Sequence, residues 1–365
     1  MQKFTDKNYN GLPEPKRFKV LALKFGILGF LFFVLFYFVP FHTSEYWMRA
    51  IIMPTLILGL AGLGLNLLFG YAGQASLGTA AFMAVGAFAA YNLMYRVDWL
   101  PLPIAYIVAG VISGLTGLIF GLPSLRIKGF YLIASTLTAQ FFAIWFFTNF
   151  GWFYNYNPAL TISAPSWDIF GFDFSGPRGR YWIVVSTTAL LTLFSIYIVN
   201  SQTGRNWKAI RDLDTAASVV GVPILRTKLS VFFVSSFICG IAGILWGFAY
   251  LGAIDATGFS LDKSFQLLFI IIIGGLGSIS GSYIGSAIIV LTPILLNILT
   301  KNTGLDQLLD QAFLSNMQKV LFGVLIIFLL IRQPEGVLSI IKSWWQKVVT
   351  DNNPKRERSE RRSVK

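Results

Sequence analysis

The sequence predicts an all-α protein, a polytopic transmembrane helix bundle of about ten spans with both termini in the cytoplasm. Three observations lead there. Only 12% of the 365 residues are charged and 55% are hydrophobic, where a soluble domain carries roughly 25% charged residues. The apolar residues come in long blocks. The lysines and arginines fall between those blocks and gather on one side. Lipid enforces the first two features. A charge at the bilayer centre costs at least ~2.5–3.5 kcal/mol, and a span needs roughly 20 apolar residues.

The blocks cover residues 20–40, 50–70, 76–95, 101–121, 130–150, 181–200, 229–250, 264–280, 282–300 and 318–332. The first is too long for a signal-peptide core and no A-x-A-like cleavage site follows it, so it reads as a retained span. The eighth is shortened by Gly274, Gly275 and Gly277 and reads as the weakest, re-entrant or broken. The expected organisation is a cytoplasmic arm over 1–19, a membrane domain over 20–335 and a basic tail over 336–365. Two loops exceed what connection requires. The outer loop 151–180 carries Trp152, Tyr154, Tyr156, Trp167, Phe170 and Phe172. It reads either as a docking surface or as an aromatic belt with a cover over the bundle. The inner loop is 201–228.

Charge fixes the orientation. Of the 29 lysines and arginines, only Arg49, Arg96, Arg178, Arg180, Lys263, Lys301 and Lys319 fall on one face. The rest lie in the arm, near Arg126, in the inner loop and in the tail, and the positive-inside rule makes that face cytoplasmic. The net charge of +13 therefore reports orientation and anionic lipid, and no nucleic-acid partner is expected, because no basic folded domain exists.

The same inventory excludes chemistry. Cys239 is the single cysteine and His42 the single histidine, so no metal cluster can be built and no cofactor is expected. Between the stated block ends after the first there is no Asp, Glu, Lys, Arg or His, apart from Lys319 and Arg332 at the margins of the last block. Proton-coupled machines place such groups in their spans. The run Gly274–Gly281 has glycines but lacks the lysine of a phosphate loop. A membrane enzyme is disfavoured for the same reasons. The chain cannot couple itself to ATP, so it is either the passive part of an ATP-driven assembly or a channel that needs no partner.

Candidate site residues are uncharged or lie in the inner loop. The run Gly70–Gly78, with Gln74 and Ser76, interrupts two apolar blocks. It is either a pathway element or a plain inner turn, since irregular backbone at membrane depth must line a wet cavity or be buried in protein. Thr136, Thr138 and Gln140 on the fifth span, and Gly274, Gly275 and Gly277, are grouped with it as possible lining. Gly110/Gly114, Gly243/Gly247 and Gly277/Gly281/Gly285 stand at the four-residue spacing that lets helices approach closely. Residues Arg205–Val220 read as one amphipathic helix. Trp207, Ile210, Leu213, Ala217 and Val220 form its apolar face, Lys208, Arg211, Asp212 and Thr215 its polar face, and Gly221 and Pro223 its end. Such a helix lies either in a groove on another protein or on lipid headgroups.

The stretch Thr215-Ala-Ala-Ser-Val-Val-Gly221 resembles the E-A-A-x-x-x-G loop of ABC importer membrane subunits, with Thr215 where many members have Glu. The wider pattern resembles the branched-chain amino acid ABC transporter permease family, M-type. It is carried by Gly70–Gly78 with Ala81–Ala87, Leu125–Leu132, Gly204–Asp212 through Gly221, and Gly274–Gly281, in that order over about residues 50–335. The resemblance implies a bacterial inner-membrane importer with a second, similar permease, two cytoplasmic ATPases and an external substrate-binding protein. It implies coupling through Gly204, Arg205, Lys208, Ile210, Arg211, Asp212, Ala216, Ala217 and Gly221. Its solutes would be branched-chain and other hydrophobic amino acids, with urea or short amides as the alternative. The chain departs from the family at Tyr154–Pro158, where a T-G-G-x-x-G run is common, and at Asp255–Phe259, which lacks a proline. Both departures concern the outer face.

Overall fold

A computed structural model of the chain describes residues 36–302, apart from 38, 98, 123–129, 165–166 and 170–171, and scattered positions between 313 and 337. The predicted first and last spans, the arm, the tail and most of the Leu125–Leu132 stretch lie largely or wholly outside the described residues.

The remaining apolar blocks all become helices. They are α1 (Glu45–Tyr71), α2 (Thr79–Arg96), α3 (Leu102–Gly121), α4 (Phe130–Asn149) and α5 (Pro177–Asn200), then α6 (Gln202–Asp212) and α7 (Asp214–Val219) in the inner loop. After these come α8 (Ile224–Leu251), α9 (Leu261–Gly274) and α10 (Ile279–Asn302). Among the described residues, seven helices are long and apolar enough to cross a membrane; α2 is not one of them. Pro103 and Pro177 sit where they cost nothing, at the first turns of α3 and α5, because the missing N–H has no partner there. Pro293 lies inside α10.

The core forms where α8 packs against α3, α2 and α1, while α10 packs on α1 and α9. Small residues set these approaches. A β-carbon on Gly86 would meet the backbone of Gly240, and one on Gly243 the Met83 carbonyl oxygen, both inside contact distance. Gly110 and Gly114 instead make room for the rings of Phe237 and Phe233. Ser113, fully buried, has its single hydroxyl proton shared between the carbonyls of Phe82 and Ser236, each 2.9 Å away, which satisfies its hydroxyl without water.

Helix boundaries reach beyond the apolar blocks, so the helices carry ionisable groups outside the stated block ends. Glu45 and Arg49 fall in α1, Arg178 and Arg180 in α5, and Asp262 and Lys263 in the first turn of α9. Lys228 lies in α8 with its side chain only 1% exposed. The predicted eighth span is corrected. Its helix starts at Leu261 and stops at Gly274, because Gly275 and Gly277 adopt φ values of 116° and 72° that only glycine takes without strain.

The predicted outer loop carries short strands. β1 (Thr161–Ser163) pairs antiparallel with β4 (Ala253–Asp255), matching Thr161 to Asp255. β2 (Asp168–Ile169) and β3 (Phe172–Asp173) form a second, smaller pair. The first pair ties the loop between α4 and α5 to the loop between α8 and α9. Two of the loop's aromatics are used in packing: Arg96 stacks on Trp152 at 3.9 Å, and Trp167 is buried edge-on to Tyr106.

Candidate functional site

The inner loop folds as two helices rather than the single helix 205–220. α6 ends at Asp212, Leu213 is extended at φ −160° and ψ 106°, and α7 restarts at Asp214. Three of the five predicted apolar-face residues, Trp207, Ile210 and Ala217, are buried, and the indole N–H of Trp207 donates to Ser230 Oγ on α8 at 2.9 Å. The break turns the other two outward, leaving Leu213 64% and Val220 83% exposed. Ala216 is exposed and Ala217 buried. Gly221 closes α7 at φ 87°, a left-handed C-terminal position that favours glycine. Gly204 sits where a β-carbon would strike the carbonyls of Ile198 and Val199, so it permits the sharp turn from α5 into α6.

The break is explained by an ion pair. Asp214 Oδ2 lies 3.1 Å from Lys228 Nζ. It opens α7 as the acidic residue of its first turn, which the helix dipole favours. Removing one partner from a buried pair leaves an uncompensated charge and costs about 3–5 kcal/mol. Lys228→Met is therefore expected to lower the thermal midpoint of the solubilised protein strongly. The double change Lys228→Met with Asp214→Asn is expected to recover most of that loss. Equal losses in single and double variants would show that the pair does not hold α7 in place.

The polar face of α6 is divided. Arg205 folds back on Gln202. Lys208 Nζ sits 5.8 Å from the Tyr71 ring. Asp212 holds the Arg211 guanidinium at 3.0 Å, and Arg211 in turn donates to the Gly70 carbonyl at 3.0 Å. That carbonyl belongs to the π-wound last turn of α1, Leu67–Tyr71, a widening that recurs at functional sites. Gly73, at φ 69°, faces the backbone and side chain of Arg211.

Residues 70–78 and 274–281 form one assembly with α6. Asn66, fully buried in α1, joins them. Its Nδ2 donates to the Ser278 carbonyl at 2.8 Å and to Ser282 Oγ at 3.0 Å, and its Oδ1 accepts from the Gly277 N–H at 2.8 Å. Gly277 also lies against the Gly70 carbonyl and the Arg211 guanidinium. Beside this assembly opens a cleft of about 670 Å³ bounded by residues 72–75, Leu132, Ile133 and residues 210–215. Of the predicted lining residues, Gln74 borders this cleft.

Ser76, Thr136 and Gln140 are buried in the chain as it stands and fasten a junction of helix ends. Thr136 Oγ1 accepts from the Leu77 N–H at 3.0 Å. Gln140, midway along α4, accepts from the Ala81 N–H at 2.7 Å and from Ser264 Oγ at 3.2 Å, and donates to the Phe259 carbonyl at 2.6 Å. Ser264 Oγ accepts from the Ala80 N–H at 3.1 Å. The N-terminal turns of α2 and α9 thus meet at Gln140, with their orphan donors satisfied by side chains. Irregular backbone this deep in a bundle requires such partners. Thr138 is not part of the junction; its hydroxyl donates back to Ala134 at 3.0 Å. Among the described residues no group of three metal-ligating side chains occurs.

Asn66, Ser264 and the Lys228–Asp214 pair are the residues that sequence reasoning missed. Asn66 had a readable signal, being the one amide inside block 50–70. The ion pair had none, since its partners come from different helices.

Broken and continuous membrane-spanning helices, a buried polar junction at mid-depth and a helical loop folded onto one end define a multi-pass membrane permease. Residues 48–330 match the family described as the branched-chain amino acid transport system / permease component, and the chain belongs to it. It is 27% identical over 315 residues to the high-affinity branched-chain amino acid transport system permease protein LivM of Salmonella typhimurium, covering 79% of this chain and 69% of that one. It is 26% identical to a probable LivM permease of Methanocaldococcus jannaschii, over 76% of this chain and 89% of the relative. The match to LivH of Escherichia coli, 32% identical, covers 43% of this chain and 46% of that one. The resemblance is therefore to the M-type subunit. No solved structure matches significantly.

Proposed function

We propose that the chain forms half of the membrane pathway of an ATP-driven importer for branched-chain and other hydrophobic amino acids. A second, LivH-like permease supplies the other half, two cytoplasmic ATPases the energy and an external binding protein the solute. In this reading the protein crosses a bacterial inner membrane about ten times, with both ends and α6–α7 on the cytoplasmic side. ATP hydrolysis belongs to the ATPases. α6 and α7 present Leu213, Ala216, Val219 and Val220 to the partner, and the small side chain at 216 allows close approach.

The observation that carries this reading is the Arg211–Gly70 contact. One side chain links an exposed helix to the turn Gly70–Gly78, so a displacement of α6 is passed to backbone that reaches the Gln140 junction. Alternating access then follows from closure of the ATPases pulling on α6–α7.

The test uses the transporter assembled with its ATPases in liposomes. Arg211→Glu and Ala216→Trp are expected to lower ATP-driven uptake roughly tenfold or more while leaving ATP hydrolysis by the ATPases running, the range expected for loss of a coupling energy. Unchanged uptake in both variants would sink the coupling role. Rapid solute flux through the chain alone, without ATPases, would make it a facilitator instead.

A further inference from the structure

The turn that ends α9 carries a further contact besides those of Asn66 and Arg211. Gly336, buried and at φ 77°, sits on it. A β-carbon at 336 would lie 2.5 Å from Gly275 Cα and 2.6 Å from its nitrogen. Only hydrogen fits there, and the positive φ favours glycine as well. Val337, the next residue, is partly buried against the same core. Gly336 is thus seated on the segment 274–281, which Asn66 fastens to α1 through Gly277 and Ser278 and which lies against the Gly70 carbonyl and the Arg211 guanidinium. Backbone packed this closely on backbone transmits a displacement rather than absorbing it.

The 28 residues after Val337 lie outside the described residues, and their sequence carries eight lysines and arginines against three acidic residues. Leu338, Ile341, Trp344, Trp345 and Val348 recur at the three- and four-residue spacing of one helix face, with Lys342 and Lys347 off it. Spacing of that kind is the signature of an amphipathic helix. An apolar face with two tryptophans, backed by lysines, matches a lipid–water interface. Behind it come Lys355, Arg356, Arg358, Arg361, Arg362 and Lys365, a basic cluster of the kind that anionic headgroups attract. An acidic protein surface would meet the charge alone, whereas anionic lipid meets the charge and the apolar face together.

We propose that residues 338–349 lie as an amphipathic helix on the anionic headgroups of the inner leaflet, with the basic cluster behind them, and that Gly336 ties this lipid contact to the turn that ends α9. Anionic lipid then holds the tail, the tail holds Gly275, and the turn stays where Arg211 acts on it. Import becomes dependent on the charge of the inner leaflet. The inference goes beyond the importer reading and rests on it for the cytoplasmic side of this end and for the solute followed.

Uptake of radiolabelled leucine by the full assembly tests it, in vesicles of phosphatidylcholine alone and of phosphatidylcholine with phosphatidylglycerol, with ATP inside and the binding protein outside. Wild type is expected to take up leucine roughly fivefold or more faster in the anionic vesicles, the lower range of a coupling effect. Replacing the six basic residues from Lys355 to Lys365 with glutamine is expected to bring uptake in anionic vesicles down to the neutral-vesicle rate. A flexible Gly-Ser insertion between Val337 and Leu338 keeps both the Gly336 seat and the tail but unlinks them, and should do the same. Assembly and ATP hydrolysis of each variant are checked in parallel, and if the glutamine variant fails to assemble, the insertion decides. Equal uptake by wild type in both lipids overturns the proposal, and so does full lipid dependence in either variant. A fall of equal size in both lipids on neutralising the cluster would put the tail on a protein surface, which overturns it too. Uptake that persists through these results leaves the importer reading standing. Absence of any leucine uptake by wild type overturns both.

Discussion

Replacing Asn66 with leucine is expected to lower the thermal midpoint of the solubilised protein by on the order of 5–10 °C, through a loss of about 2–3 kcal/mol. The change takes a partner from three groups and leaves the Gly277 N–H with none among the described residues. The Gly277 N–H, the Ser278 carbonyl and the Ser282 hydroxyl all lose the Asn66 amide. A single interhelical hydrogen bond in a membrane protein contributes only about 0.6 kcal/mol on average, but here three partners fail together at a fully buried position. Thr55→Val, on the same helix, is the contrast. Among the described residues the Thr55 hydroxyl has no partner, so an apolar isostere strands nothing and the midpoint should hold. A midpoint in Asn66→Leu equal to that of Thr55→Val would mean that the Gly274–Gly281 turn is held by packing alone. Uptake should fall further than stability in Asn66→Leu, because the turn it releases also contacts Arg211.

Gly243→Ala and Gly86→Ala are each expected to destabilise the protein by about 1–3 kcal/mol, and Gly243→Val to abolish its accumulation in the membrane. Helix propensity argues the other way, since alanine in a helix interior is favoured over glycine by roughly 0.5–1 kcal/mol. Packing decides the sign. The new carbon at Gly243 meets a backbone carbonyl, that of Met83, and the one at Gly86 meets the backbone of Gly240, and neither can rotate away. Gly247, its partner in the four-residue pattern, would meet only the side chain of Ile254, at 2.8 Å, and should tolerate alanine better. Gly176, with no atom within 4 Å of such a carbon, should be indifferent. Accumulation measured by quantitative blotting, with thermal midpoints for those variants that accumulate, separates these cases. Equal tolerance at Gly243 and Gly176 would contradict the close approach of α2 and α8.

The four-residue glycine spacing was visible in the sequence, yet it did not say which glycine faces backbone and which faces a flexible side chain. The same holds for the polar residues. Gln74, Ser76, Thr136 and Gln140 stood out as amides and hydroxyls among apolar neighbours. That Gln140 collects the Ala81 N–H, Ser264 and the Phe259 carbonyl depends on three helices meeting at mid-depth, which no local pattern encodes. The amphipathic period of the inner loop was legible and its buried residues Trp207, Ile210 and Ala217 were identified. Its break at Leu213 was not, because Asp214 answers to Lys228 on another helix.

The sequence by itself determined the helical membrane class, the helix bodies among the described residues and the family, because those follow from composition, block length and motif order, all local quantities. The tertiary structure alone decided the ends and the junctions. It decided where α9 stops, why the inner loop is two helices, and that Asn66 and Gln140 fasten the irregular segments. It also placed Lys263 within a span helix, its ammonium against the Trp246 ring. The physical reason is common to all of these. In an apolar medium a backbone polar group or a charge must find its partner within the protein, and that partner comes from distant parts of the chain.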